Sequence, residues 1–93
     1  MTDELREVVL VETQFNLLEW KHRLENHRGV SYSWNKIAEG AKVHVNTVTG
    51  IATNESKRVD RATISALVNY FRREGLDVHS SELFVDVPVV QAA

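Results

Sequence analysis

Residues 61–74, RATISALVNYFRRE, set Ile64, Leu67, Val68 and Phe71 at i, i+3, i+4 and i+7, the spacing that gathers side chains on one face of a helix. No other stretch of the chain has so sharp an apolar stripe. A helix with one apolar face draws its stability from covering that face, so the stripe demands other elements packed against it. Asp60 is placed to cap its start, and Gly75, following Arg72 and Arg73, to end it.

Three further segments repeat the periodicity. In the first, Thr13 is a candidate N-cap for QFNLLEWKHRLENHR, where Leu17, Trp20 and Leu24 share a face with Phe15 and Leu18 beside them, and Gly29 stops it. In the second, Ser31 or Ser33 caps WNKIAEGA, with Trp34, Ile37, Ala38 and Ala41 on one side. Lys42 and Val43 make a tight link to the third, VNTVTGIA (45–52), whose Val48, Ile51 and Ala52 face inward. The polar run 53–57, TNESK, reads as a turn, Leu76 and Val78 as packing back on the core, and SSELF (80–84) as a last short helical turn. The ends read differently. REVVLV (6–11) suits a short strand or an early helical turn, and valine alternates through the tail up to Pro88, which suits an edge strand or an extended arm, paired within one subunit or across two. The expected architecture is therefore all-α, a compact five-helix domain over 13–84, with a strand or arm at 1–12 and a strand or tail at 85–93.

Ninety-three residues, 43% hydrophobic and 26% charged, make one self-folding domain and exclude a disordered chain. With no cysteine, disulfides and Cys-ligated metal centres are excluded. No apolar run spans a bilayer and MTDELREVV lacks the form of a signal peptide, so the expected location is cytoplasmic, at the nucleoid, with no membrane partner. The net charge of −2 hides an asymmetry: residues 1–12 carry −3, 13–73 carry +5 and 74–93 carry −4. A basic centre between acidic ends fits a chain that meets phosphate with its middle and fits an ordinary solvated surface equally well.

Two short helices joined by about three residues, then a turn and a longer amphipathic helix, are the parts of a helix-turn-helix. Residues 33–54, SWNKIAEGAKVHVNTVTGIATN, resemble the XRE-type, lambda-repressor-like and Cro-like family of transcriptional regulators. Ile37 and Ala38 match its apolar-Ala pair, Val43 the valine before its recognition helix, Thr47 and Val48 its Thr-Ile pair, and Ile51 the next core position. Residues 56–60 and TISALVNYFRREGLDVHSSELF continue the likeness. The chain departs from the family where Ala52, Thr53 and Asn54 replace Glu-Asn-Gly, where His44 replaces a capping Ser or Thr, and in a longer loop between Gly29 and Ser33. Asn54 can still supply a left-handed turn residue.

The resemblance implies a lambda-repressor-like fold that binds double-stranded DNA as a homodimer, with the helix 45–52 in the major groove. Its base-reading positions fall on His44, Val45, Asn46, Thr49 and Gly50, and its phosphate contacts on Ser33, Trp34, Asn35, Lys36, Asn54, Lys57 and Arg58. Asn46 is the strongest base reader, pairing in bidentate fashion with adenine, and Val45 meets a thymine methyl; a plain surface role for Asn46 stays open. Gly50, costly inside a helix by about 1 kcal/mol, either lets the helix approach DNA or is a tolerated weak helix former. Trp34 packs in the core or rests its ring N–H on the DNA backbone, with packing favoured. Lys42 and Arg61 are candidates on charge alone. An enzyme is not expected: His22, His27, His44 and His79 have no metal-ligand spacing, and no GxSxG, P-loop or GxGxxG is present, so neither cofactor nor metal is expected. The rival reading is a protein-interaction module of the same fold, such as an antitoxin, adaptor or anti-repressor, because the face His44, Val45, Asn46, Gly50 is weakly basic.

Overall fold

The structure, a computed structural model, describes residues 10–89. In chain order it holds β1 (Val11–Phe15), α1 (Leu17–Arg28), α2 (Trp34–Ala41), α3 (Val45–Ala52), α4 (Arg61–Arg73), a 3-10 turn (Ser80–Leu83) and β2 (Phe84–Pro88).

This corrects the all-α, five-helix expectation. Four helices are joined by a two-stranded antiparallel sheet of β1 and β2. The fifth helix shrinks to a single 3-10 turn because the backbone leaves it at Phe84 for β pairing, and the β-branched tail that follows favours a strand. At the other end, residues 13–15 do not open α1. Thr13 pairs with Asp86, Gln14 with Val85 and Phe15 with Phe84, so the helix starts at Leu17, with Asn16 as an N-cap whose side chain makes no capping bond. Of the strand expected over 6–11, positions 6–9 lie outside the described residues, and the strand observed begins at Val11. Strand pairing is within one chain.

The ladder bonds run from the Val89 N–H to the Leu10 carbonyl (2.9 Å) and from the Asn16 N–H to the Leu83 carbonyl (2.9 Å). With those pairs bonded, alternation makes Val11–Pro88 and Phe15–Phe84 the non-hydrogen-bonded pairs. Pro88 therefore sits where its missing N–H costs nothing, and the Phe15 and Phe84 rings come within 5.2 Å of each other between centroids.

Most helix ends follow their local cues. Gly29 takes φ +72° and closes α1; the Ser33 hydroxyl accepts from the Lys36 N–H at 3.1 Å and starts α2; Lys42 adopts φ +60° to reverse the chain toward α3; Asp60 Oδ1 accepts from the Thr63 N–H at 2.9 Å and starts α4. The four stripes meet in one core in which Leu17, Leu24, Ile37, Val48, Ile51, Leu67 and Phe71 are fully buried, together with Val78 and Leu83 from the C-terminal segment. Trp20 ties this core to the 3-10 turn, its indole N–H donating to the Glu82 carbonyl at 2.8 Å. Across the α1, α2 and α4 junction the Tyr32 hydroxyl donates to Glu74 Oε1 at 2.8 Å. Tyr70 packs against Gly40 of α2, and its burial pushes the phenol up to about 12.

Candidate nucleic-acid interface

With Val48 and Ile51 buried in the core, helical geometry turns Asn46, Thr49 and Gly50 of α3, and Thr53 at its C-cap, toward the surface, while Val45 packs against the core. His44 and Asn46 are exposed, and Val45, Thr49 and Gly50 half-buried. Asn46, Thr49 and Gly50 come together in a shallow depression that Thr53 and Glu55 complete. Sequence reasoning missed those last two. Thr53 lies seven residues after Asn46, so the same helical spacing already marked it; Glu55 reaches the rim because the chain folds back over Gly50.

His44 replaces the missing Ser or Thr cap. Its Nδ1 accepts from the Asn46 N–H at 3.1 Å, which requires the neutral ring with its proton on Nε2. The hydroxyl of Thr49 donates back into the helix, to the carbonyls of Val45 (3.1 Å) and Asn46 (3.2 Å), and that of Thr53 donates to the Thr49 carbonyl (2.9 Å). Among the described residues the Asn46 side-chain amide makes no hydrogen bond.

Gly50 has a local reason to be glycine. Its carbonyl accepts from the N–H groups of Glu55 (2.9 Å) and Ser56 (3.1 Å), and a Cβ there would lie 2.5 Å from the Ser56 hydroxyl. The residue makes room for the loop after α3, whatever else its small size permits.

The expected phosphate contacts are dispersed. Ser33, Asn35, Lys36, Lys57 and Arg58 are exposed, and none of these three cations has an ion pair among the described residues. Lys36 leans over the Tyr32 ring at 4.5 Å and lines a separate depression with Glu39, Tyr70 and Glu74. Trp34 is half-buried and packs on the core, with Lys21 Nζ 5.5 Å from its ring centroid. Lys42 and Arg61 are exposed.

Asn54 has a different placement. It takes the left-handed conformation (φ +61°), and its side-chain amide is spent on β1: Oδ1 accepts from the Phe15 N–H at 2.6 Å and Nδ2 donates to the Phe15 carbonyl at 3.1 Å. Because Phe15 does not bond to β2, its free N–H and C=O are met by an amide that imitates the next strand. This clamp joins the sheet to the loop after α3 and forms a cleft lined by Glu12, Gln14, Ser56 and Lys57.

No group of three or more His, Cys, Asp or Glu side chains gathers at metal-binding distance among the described residues, and no helix there is long and apolar enough to cross a membrane. No family model, no curated protein and no solved structure matches the chain.

Proposed function

We propose that this chain is a sequence-specific DNA-binding regulator that lays α3 in the major groove and acts as a homodimer on a two-part operator. The observation that carries the reading is Asn46 facing outward from the first turn of α3, its amide free of bonds among the described residues, on a helix followed by a loop that presents Lys57 and Arg58 to solvent. The likeness of residues 33–54 to the XRE-type, lambda-repressor-like pattern supports the same assignment. A twofold arrangement would read two half-sites about one DNA turn apart and multiply the selectivity of a single short helix. The test is a salt titration of duplex binding. Replacing Lys57 and Arg58 by Ala should weaken binding to every sequence and reduce the slope of log K against log salt by roughly two; an unchanged slope removes both from the phosphate contacts.

A second reading, a protein-interaction module such as an antitoxin, adaptor or anti-repressor, is favoured by the sheet. Leu10, Val85 and Val89 are each more than two-fifths exposed, and with Glu12 opposite Val87 they fall on one face of the ribbon, an apolar and acidic surface suited to protein and unsuited to phosphate.

A further inference from the structure

Resting on the reading that α3 enters the major groove, we infer that its target is A·T-rich at the base pairs facing Asn46 and Thr49, with Asn46 on adenine and the methyl of Thr49 on a thymine methyl. Each base pair shows a distinct edge in that groove, and the chemistry of α3 answers only some of them.

Guanine offers two acceptors, which a forked or ammonium donor satisfies best. Residues 44–53 contain no Lys or Arg. The hydroxyl protons of Thr49 and Thr53 are committed to helix carbonyls, and His44 has spent Nδ1 on the cap, which leaves it the single Nε2 donor. Cytosine offers an amino donor that a carboxylate accepts. Residues 44–53 contain no Asp or Glu, so the one carboxylate on this side is that of Glu55, past the C-terminal end of α3 and on the rim of the depression that Asn46, Thr49 and Gly50 line.

What remains at the outward positions of α3 itself is one amide with an uncommitted donor and the methyl group of Thr49. The Asn46 amide pairs a donor with an acceptor, as adenine N7 and N6 require, and the methyl of Thr49 suits the one apolar group in the groove, the thymine C5-methyl. Back-bonding of Thr49 removes it as a donor to guanine: with its proton turned inward, the side chain has no hydrogen to offer a base and presents its methyl and the lone pairs of its oxygen.

The experiment is selection of duplexes bound by the full chain from a random pool, followed by binding to the best duplex with uracil in place of thymine, which removes only the C5-methyl. Adenine and thymine should dominate the central positions of each half-site, uracil should weaken binding at least about fivefold, and Asn46→Ala should flatten the preference at the adenine while leaving the salt slope unchanged. Enrichment of G·C pairs there, or indifference to uracil, overturns the inference. Salt-dependent binding with no preferred sequence also overturns it and leaves a nonspecific DNA binder; no duplex binding even at low salt overturns the DNA-binding reading itself.

Discussion

At the scale of single residues, two positions decide more than their size suggests. Gly40 packs its Cα against the Tyr70 ring, and a Cβ there would overlap that ring, so Gly40→Ala should destabilise the fold by about 1–3 kcal/mol in urea unfolding despite the better helix propensity of alanine. Unchanged stability would mean that α2 and α4 are less closely packed than described. Asn54 holds a left-handed backbone and both polar groups of Phe15. Its replacement by Ala leaves those groups unpaired in a part-buried place and adds backbone strain, while Gly relieves the strain alone. Asn54→Ala should therefore cost about 1–3 kcal/mol, and Asn54→Gly less, by the share owed to φ. Equal losses would show that the hydrogen bonds dominate and that conformation contributes little. Asn54 also shows where reading the sequence stops. Its turn conformation was legible from its place after α3, but its partner was not, because Phe15 lies in a strand formed with the other end of the chain.

At the scale of elements, helices were legible because their signals are local. The Ser33 and Asp60 caps, the Gly29 stop and the stripes of α2, α3 and α4 all act within a few residues, and the structure places them as their spacing implies. The start of α1 and the fate of residues 80–84 were not legible, since both depend on pairing between β1 and β2, whose segments are distant in sequence. The caps have a measurable consequence. Hydrogen bonds from the Thr63 side chain and N–H hold the Asp60 carboxyl below the usual range, and the Tyr32 N–H does the same for Glu25 against the opposing effect of burial, with help from Lys21. A carboxylate lowered in the folded state adds stability that is complete above the ordinary carboxylate range and is lost as pH falls through it. The urea midpoint should accordingly fall between about pH 5 and pH 3. Asp60→Asn, which keeps a capping oxygen without the charge, should make that fall shallower; an identical pH profile would contradict the assigned role of Asp60.

At the scale of the whole molecule, a helical core holds α3 so that one side is buried and the other carries His44, Asn46 and the depression closed by Thr53 and Glu55. The ribbon of β1 and β2 meets the loop after α3 through the Asn54 clamp, so the proposed DNA-facing surface and the apolar ribbon belong to one connected body. The two proposed readings assign these surfaces opposite partners, phosphate at the exposed Lys57 and Arg58, protein at the exposed Leu10, Val85 and Val89. A titration of the nitrogen-15-labelled full chain with duplex DNA, followed by amide chemical shifts, separates them directly. Changes should concentrate at positions 44–50 and 57–58. Changes confined to 10–15 and 84–89, or none at low salt, would contradict the central claim that α3 is the surface presented to DNA.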